Sequence, residues 1–205
     1  MIHHQALEYR LVCLAVGYGF GSLLTAELVA KLVSGQSARQ IGDGNPGMAN
    51  IMMHLGKAAG VAVLAGDLLK TAAACGVSYF VAAPQIGRAA LLYAGLGAIL
   101  GHNHPLWSRG RGGKGVAVTC AWLVLYLPVT GALCCLGGGL LVLWLGYLPL
   151  GAAVIPLAAI PFAWLQYGTE SGVGMTAAAI MMLMRHRHGL GRIRRGEEPR
   201  FFRRS

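Results

Sequence analysis

The chain has 205 residues, of which 56% are A, V, I, L, M, F, W, Y or C and only 12% are charged, and its mean hydropathy is +0.59. A soluble domain of this size carries about a quarter charged residues, so a water-soluble globule is excluded, and the apolar content also excludes intrinsic disorder. The net charge of +10 does not require nucleic acid: eight of the 17 Lys and Arg lie between Arg185 and Ser205, where a basic flank beside a membrane body faces anionic lipid.

Taken in chain order, apolar runs occupy residues 7–33, 58–83 and 86–107, each long enough for one crossing at about 20 residues. From Gly115 to Met184 the only formal charge is Glu170, which marks a membrane-embedded stretch and excludes a lone signal peptide as the source of hydrophobicity. Lys31, Arg39 and Lys57 follow the first run, and Arg109, Arg111 and Lys114 follow the third, so both loops are expected on the cytoplasmic side. The Arg-rich tail belongs on that side too, which requires an even number of spans after Gly115. Four spans at about 17 residues each fit, with breaks expected at Pro128–Gly131, Gly137–Gly139, Pro149–Gly151 and Gly168–Gly174. The expected fold is all-α: a polytopic membrane protein of seven transmembrane helices, N-terminus outside and C-terminus cytoplasmic. Residues 1–184 would form the membrane domain and 185–205 a basic cytoplasmic tail. Gly17-Tyr-Gly-Phe-Gly21 is expected to let the first helix approach a neighbour closely. The five cysteines (13, 75, 120, 134 and 135) have no metal spacing and read as small packing residues.

Ionisable groups within spans are costly and point to function or to a partner. Asp67 and Lys70, at i,i+3 on one helix, can neutralise each other, either as an ion pair ordering the bundle or as part of a ligand site. Glu27, near the end of the first span, reads as a snorkelling surface residue. The first cytoplasmic loop holds Arg39-Gln-Ile-Gly-Asp-Gly-Asn-Pro-Gly47, a Gly-Pro turn whose backbone N–H groups can form an anion-binding concavity, with Arg39 as a bidentate phosphate partner. The second holds Gly101-His-Asn-His-Pro-Leu-Trp-Ser-Arg-Gly-Arg-Gly-Gly-Lys-Gly115, where glycines, Lys114 and a following helix N-terminus converge. It lacks the GxxxxGK[ST] spacing of a Walker A loop. Two such loops on one face suggest two phosphate-bearing ligands at the membrane surface. A small-solute transporter is disfavoured, because no inverted repeat is found and the polar loops lie on one face.

Gly21-Ser22, Gly42-Asp-Gly-Asn-Pro-Gly47, Leu55-Gly-Lys-Ala-Ala-Gly60, Asp67 with Lys70, Gly101-His102, Gly112-Gly-Lys-Gly-Val-Ala117 and His186-Arg187 followed by Gly196-Glu-Glu-Pro199 occur in an order that resembles the PlsY-type acyl-phosphate:glycerol-3-phosphate acyltransferases. The resemblance implies transfer of a fatty acyl group from acyl phosphate to the 1-hydroxyl of glycerol 3-phosphate, giving lysophosphatidic acid in the bacterial inner membrane. It implies no cofactor and no metal, membrane lipid as surroundings, no nucleic acid, and an active face towards the cytoplasm. It places Ser22, Arg39, Gly44 and Asn45 in one substrate-binding loop and Gly112, Gly113, Lys114 and Gly115 in the other, with His102, His186 and Glu198 completing the site. Lys114 and the surrounding amides are expected to bind phosphate and to stabilise charge at the acyl carbonyl. Either His102 or His186 would accept the attacking hydroxyl's proton, or a phosphate would take it. Asp43 stands where the family usually has Ser. A carboxylate ~4 Å from a phosphate costs on the order of 4 kcal/mol per facing charge at an effective dielectric near 20, to be offset by Arg39 or Lys57. An alternative reading is a protein of the same fold that binds phospholipid or acyl phosphate without turnover.

Overall fold

The computed structural model describes residues 2–201, and among them all regular structure is helical. The chain divides into two compact units, one ending at Trp122 and the other beginning at Leu123. Four stretches are long and apolar enough to cross a membrane: Gln5–Ser34, Lys57–Ile86, Pro128–Leu145 and Leu148–Arg194.

In the first unit, α1 (Ile2–Gly21) and α2 (Thr25–Ser34) are parted only by Ser22, Leu23 and Leu24, so the first apolar run is a broken helix rather than one rod. A short α3 (Met48–Leu55) leads through Gly56 into α4 (Lys57–Ile86), and α5 (Ala89–Asn103) returns against α1 and α4. Glycine decides how α1 meets α5. A Cβ on Gly17 would lie 2.0 Å from the Ala94 carbonyl oxygen and one on Gly21 2.2 Å from that of Ala98, while Gly97 and Gly101 of α5 press equally close on Leu14 and Tyr18. This is the close backbone approach expected of Gly17–Gly21, extended to a reciprocal pair on the partner helix. Gly97→Leu is therefore expected to force the two helices apart and to cost about 1–3 kcal/mol; a melting curve of the purified protein in detergent checks it, and an unchanged Tm would show that α5 can shift freely. Beneath the first loop, Ala26, Ala30, Ala38, Ile41, Ile51, Ala59 and Val63 form a core of mostly small residues. α6 (Val116–Tyr126) begins directly after the second loop.

In the second unit, α7 (Pro128–Leu145) packs on α8 (Leu148–Arg194). The breaks expected near Pro128 and Pro149 fall within one to three residues of the helix starts at Pro128 and Leu148. The break expected at Gly137–Gly139 is absent, because α7 runs through it. Gly138 instead faces α8, where a Cβ would lie 2.3 Å from Ile155 Cγ1 and 2.9 Å from the Gly151 carbonyl oxygen, so this glycine serves helix contact. The 47 residues of α8 would extend about 70 Å as one rod, more than twice a bilayer core. Gly168, at φ 77° and ψ −166°, divides it. Ser171 patches that break: its hydroxyl donates to the Tyr167 carbonyl at 3.3 Å and lies in a short hydrogen bond with the Tyr126 hydroxyl. The five cysteines form no disulfide, and three of them are buried, in keeping with packing roles.

Candidate functional site

The first loop is built around two side chains. Ser37 caps the one-turn 3-10 helix Ala38–Gln40, its Oγ accepting from Arg39 N while Gln40 Oε1 accepts from Ser37 N. Glu27 reaches across from α2 to accept both the Ser37 hydroxyl at 3.0 Å and Ala38 N at 3.1 Å. Glu27 is thus a loop anchor, not the snorkelling surface residue that its position near a span end suggested. Asn50, 5% exposed on α3, holds the rest: its Nδ2 donates to the Ile41 and Asn45 carbonyls and its Oδ1 accepts from Asp43 N. Gly44, at φ 72°, makes the turn, and Asp43 Oδ1 accepts from Asn45 N at 3.0 Å.

The second loop is pinned to the end of α5. Gly112 N donates to the Asn103 carbonyl at 3.1 Å and Gly113 N to the His102 carbonyl at 3.0 Å. These two amides, expected to face a phosphate, are therefore already spent on the helix end. Gly113 has another reason to lack a side chain, since a Cβ there would lie 2.3 Å from His102 Nε2 and 2.9 Å from the Pro46 carbonyl oxygen. The two loops thus touch at Gly113. Gly115, at φ 79°, turns the chain into α6 with Asn103 Oδ1 beside it, and the first-turn N–H groups of α6 point back towards the loop.

Arg39 bridges the loops: its Nη2 donates to the Arg111 carbonyl, while its buried Nε has no hydrogen-bond partner among the described residues. Lys114 Nζ lies 3.8 Å from Asp43 Oδ2, with both side chains partly exposed. The partner of Asp43 is therefore Lys114, not the Arg39 or Lys57 expected to offset it. Below the loops, Asp67 and Lys70 form a buried ion pair at 2.7 Å, with side chains 4% and 5% exposed. Lys70 Nζ also donates to the Leu23 carbonyl at 2.7 Å and meets His102 Nδ1 at 2.9 Å, and Thr25 Oγ1 donates to Asp67 Oδ1. Ser22 is fully buried at the α1–α2 break, its hydroxyl donating to the Tyr18 carbonyl and its own carbonyl accepting Trp107 Nε1.

The first unit therefore gathers Arg39, Gly44, Asn45, His102, Gly112, Gly113, Lys114 and Gly115 into two touching loops, with Ser22 packed against Gly101 beside His102. His186 and Glu198 belong to the second unit. His186 is buried on α8, and Glu198 takes an ion pair from Arg192 at 2.6 Å while its Oε1 lies against Gly189. Asn50 and Asn103 were missed from sequence; Asn103 sits inside the Gly101–Gly115 segment and Asn50 three residues past Gly47, but no spacing distinguishes a buried loop organiser from a surface amide. Among the described residues no group of three His, Cys, Asp or Glu is placed to hold a metal ion.

Residues 11–196 match the family model for glycerol-3-phosphate acyltransferase. The chain is 37% identical over 176 residues to glycerol-3-phosphate acyltransferase 1 of Lactobacillus johnsonii, covering 86% of this chain and 84% of that one. It is 30% identical over 197 residues to the glycerol-3-phosphate acyltransferase of Alkaliphilus metalliredigens, covering 96% and 98%. Its fold is similar to the crystal structure of PlsY, an integral membrane glycerol 3-phosphate acyltransferase, in the glycerol 3-phosphate form, with a TM-score of 0.77, 28% identity and coverage of 96% and 95%. For the lysophosphatidic acid form the TM-score is 0.78 at 27% identity, covering 93% and 94%.

Proposed function

This chain belongs to the glycerol-3-phosphate acyltransferase family, and from that premise we propose that it moves a fatty acyl group from acyl phosphate to the 1-hydroxyl of glycerol 3-phosphate, releasing lysophosphatidic acid and inorganic phosphate. The observation that carries the reading is the meeting of two cationic, glycine-rich loops, tied together by Arg39 on the Arg111 carbonyl. Both substrates carry phosphate, and the Arg39 guanidinium on the first loop with the Lys114 ammonium on the second suits two anions. In the reaction the hydroxyl oxygen bonds to the acyl carbon and the bond from that carbon to the phosphate oxygen breaks. Lys114 and the first-turn amides of α6 stabilise the charge on the carbonyl oxygen and departing phosphate. Gly112 and Gly113 contribute by lacking side chains, Gly44 and Asn45 by shaping the first loop, and Ser22 by holding the α1–α2 break under it. The hydroxyl proton passes to a histidine or to a phosphate oxygen.

The reading takes seven crossings, made by α1 with α2, α4, α5, α6, α7 and the two halves of α8, of which four stretches are long and apolar enough by themselves. With it goes an N-terminus outside and an active face in the cytoplasm of a bacterial inner-membrane protein, a reading supported by the Lys and Arg residues of the loops. The test supplies purified protein in detergent with acyl phosphate and labelled glycerol 3-phosphate. Labelled lysophosphatidic acid with stoichiometric phosphate is expected. Binding of lipid without turnover would replace the enzyme with a lipid-binding protein.

Asp43 sets a further expectation. Asp43→Ser keeps a side-chain oxygen for Asn45 N but frees Lys114, so affinity for glycerol 3-phosphate should rise, most at low ionic strength. The exposed ion pair that is lost is itself worth only about 0–1 kcal/mol. A fall in affinity in a titration at low salt would mean that Asp43 orients Lys114 usefully.

A further inference from the structure

We propose that Lys70 is a positioning residue that fixes His102 in the neutral form with its proton on Nε2, so that His102 offers an N–H donor to the Gly112–Gly115 loop and takes no proton from the attacking hydroxyl. The role of that donor in turnover rests on the acyltransferase reading above; the state of the ring does not.

An ammonium has three N–H donors and no acceptor. Three acceptors surround Lys70 Nζ: the Leu23 carbonyl at 2.7 Å, Asp67 Oδ1 at 2.7 Å and His102 Nδ1 at 2.9 Å. Each proton has one partner, and the third contact closes only if Nδ1 presents its lone pair. A proton on Nδ1 would set two N–H donors against each other across 2.9 Å, or two cations if Lys70 kept its charge. Neutralising Lys70 instead would strand the buried Asp67 carboxylate, whose other hydrogen bond comes from the neutral Thr25 hydroxyl. Asp67 Oδ1 is 3.8 Å from Nδ1, beyond hydrogen-bond distance, so it does not compete with Lys70 for the ring. A neutral imidazole carries one proton, and with Nδ1 accepting, that proton is on Nε2.

The Nε2 edge is the one against Gly113. The charged groups that face the ring are Asp67 and Lys70 from α4, both on its Nδ1 side. A donor there adds to the stabilisation of an oxyanion or a phosphate oxygen held over the loop. The hydroxyl proton then leaves on inorganic phosphate or on the substrate's own phosphate.

The full-length protein, labelled with 15N-histidine and purified in detergent, tests this directly, with the His102 resonances identified by their loss in His102→Gln. A non-protonated Nδ1 and a protonated Nε2 are expected throughout about pH 6 to 8; a protonated Nδ1, or titration to imidazolium in that range, overturns the proposal. Kinetics give a second readout. Glutamine places an amide N–H close to the position of Nε2 but cannot act as a base, so His102→Gln should keep kcat/KM within about tenfold and leave the acid limb of the pH profile in place. A base role predicts a loss of about 10²–10⁴-fold together with that limb, and this outcome would also overturn the proposal. If wild-type protein does not turn over acyl phosphate, the functional reading fails, and the resonances still decide between donor and base.

Discussion

Lys70→Met is expected to destabilise the protein by about 3–5 kcal/mol, because it leaves the Asp67 carboxylate buried at 4% exposure without its cation. The same change strips the Leu23 carbonyl and His102 Nδ1 of their donor, so the α1–α2 break and the end of α5 loosen together. Removing both charges is a different matter. Asp67→Leu combined with Lys70→Met replaces a buried pair by apolar side chains of similar size, a change often close to neutral. The double variant should therefore recover much of the loss, while His102 still lacks its partner. Melting temperatures of the wild type, both single variants and the double variant in detergent check this cycle. Additive losses would show that the pair contributes no coupling, and the buried-charge argument would fail.

The second large effect concerns turnover. Lys114→Ala removes a charge-assisted contact to a phosphate, worth about 1.5–3 kcal/mol, and should lower kcat/KM for acyl phosphate by about ten- to a hundredfold. Lys114 makes only a long, exposed contact with Asp43 in the structure, so its loss should leave the melting temperature nearly unchanged. A wild-type kcat/KM in the variant would reduce the Gly112–Gly115 loop to a connector.

What was legible in the sequence follows the range of each interaction. Asp67 and Lys70 sit one turn apart, so their pairing is written in the spacing. Their third partner, His102, is 32 residues from Lys70, and no periodicity signals it. Gly17 and Gly21 announced a close helix contact, but the same residue type at Gly137–Gly139 was taken for a break. A glycine in an apolar run reads the same whether the chain stops there or packs there, and the choice belongs to the facing helix, here Gly151 and Ile155. Composition shows Gly112 and Gly113 as a phosphate-type loop but not where their amides go, because the acceptors they meet are the last carbonyls of α5. Glu27 looked like surface for a related reason: its partners, Ser37 and Ala38, come back from beyond the end of its helix.

Gly168 offers a different lesson, about handedness. An added Cβ there would meet nothing within 4 Å, so space does not exclude a larger residue. The exclusion comes from φ 77° and ψ −166°, a combination nearly closed to L-amino acids, at a cost of order 1–3 kcal/mol. Its mirror image, φ −77° and ψ 166°, lies in the broad extended basin that any L-residue occupies at ease. The site is therefore chiral in its demand rather than steric: D-alanine installed by chemical ligation would fit where L-alanine is strained. Natural sequence variation, confined to one enantiomer, has only the achiral residue to offer at the point where α8 divides.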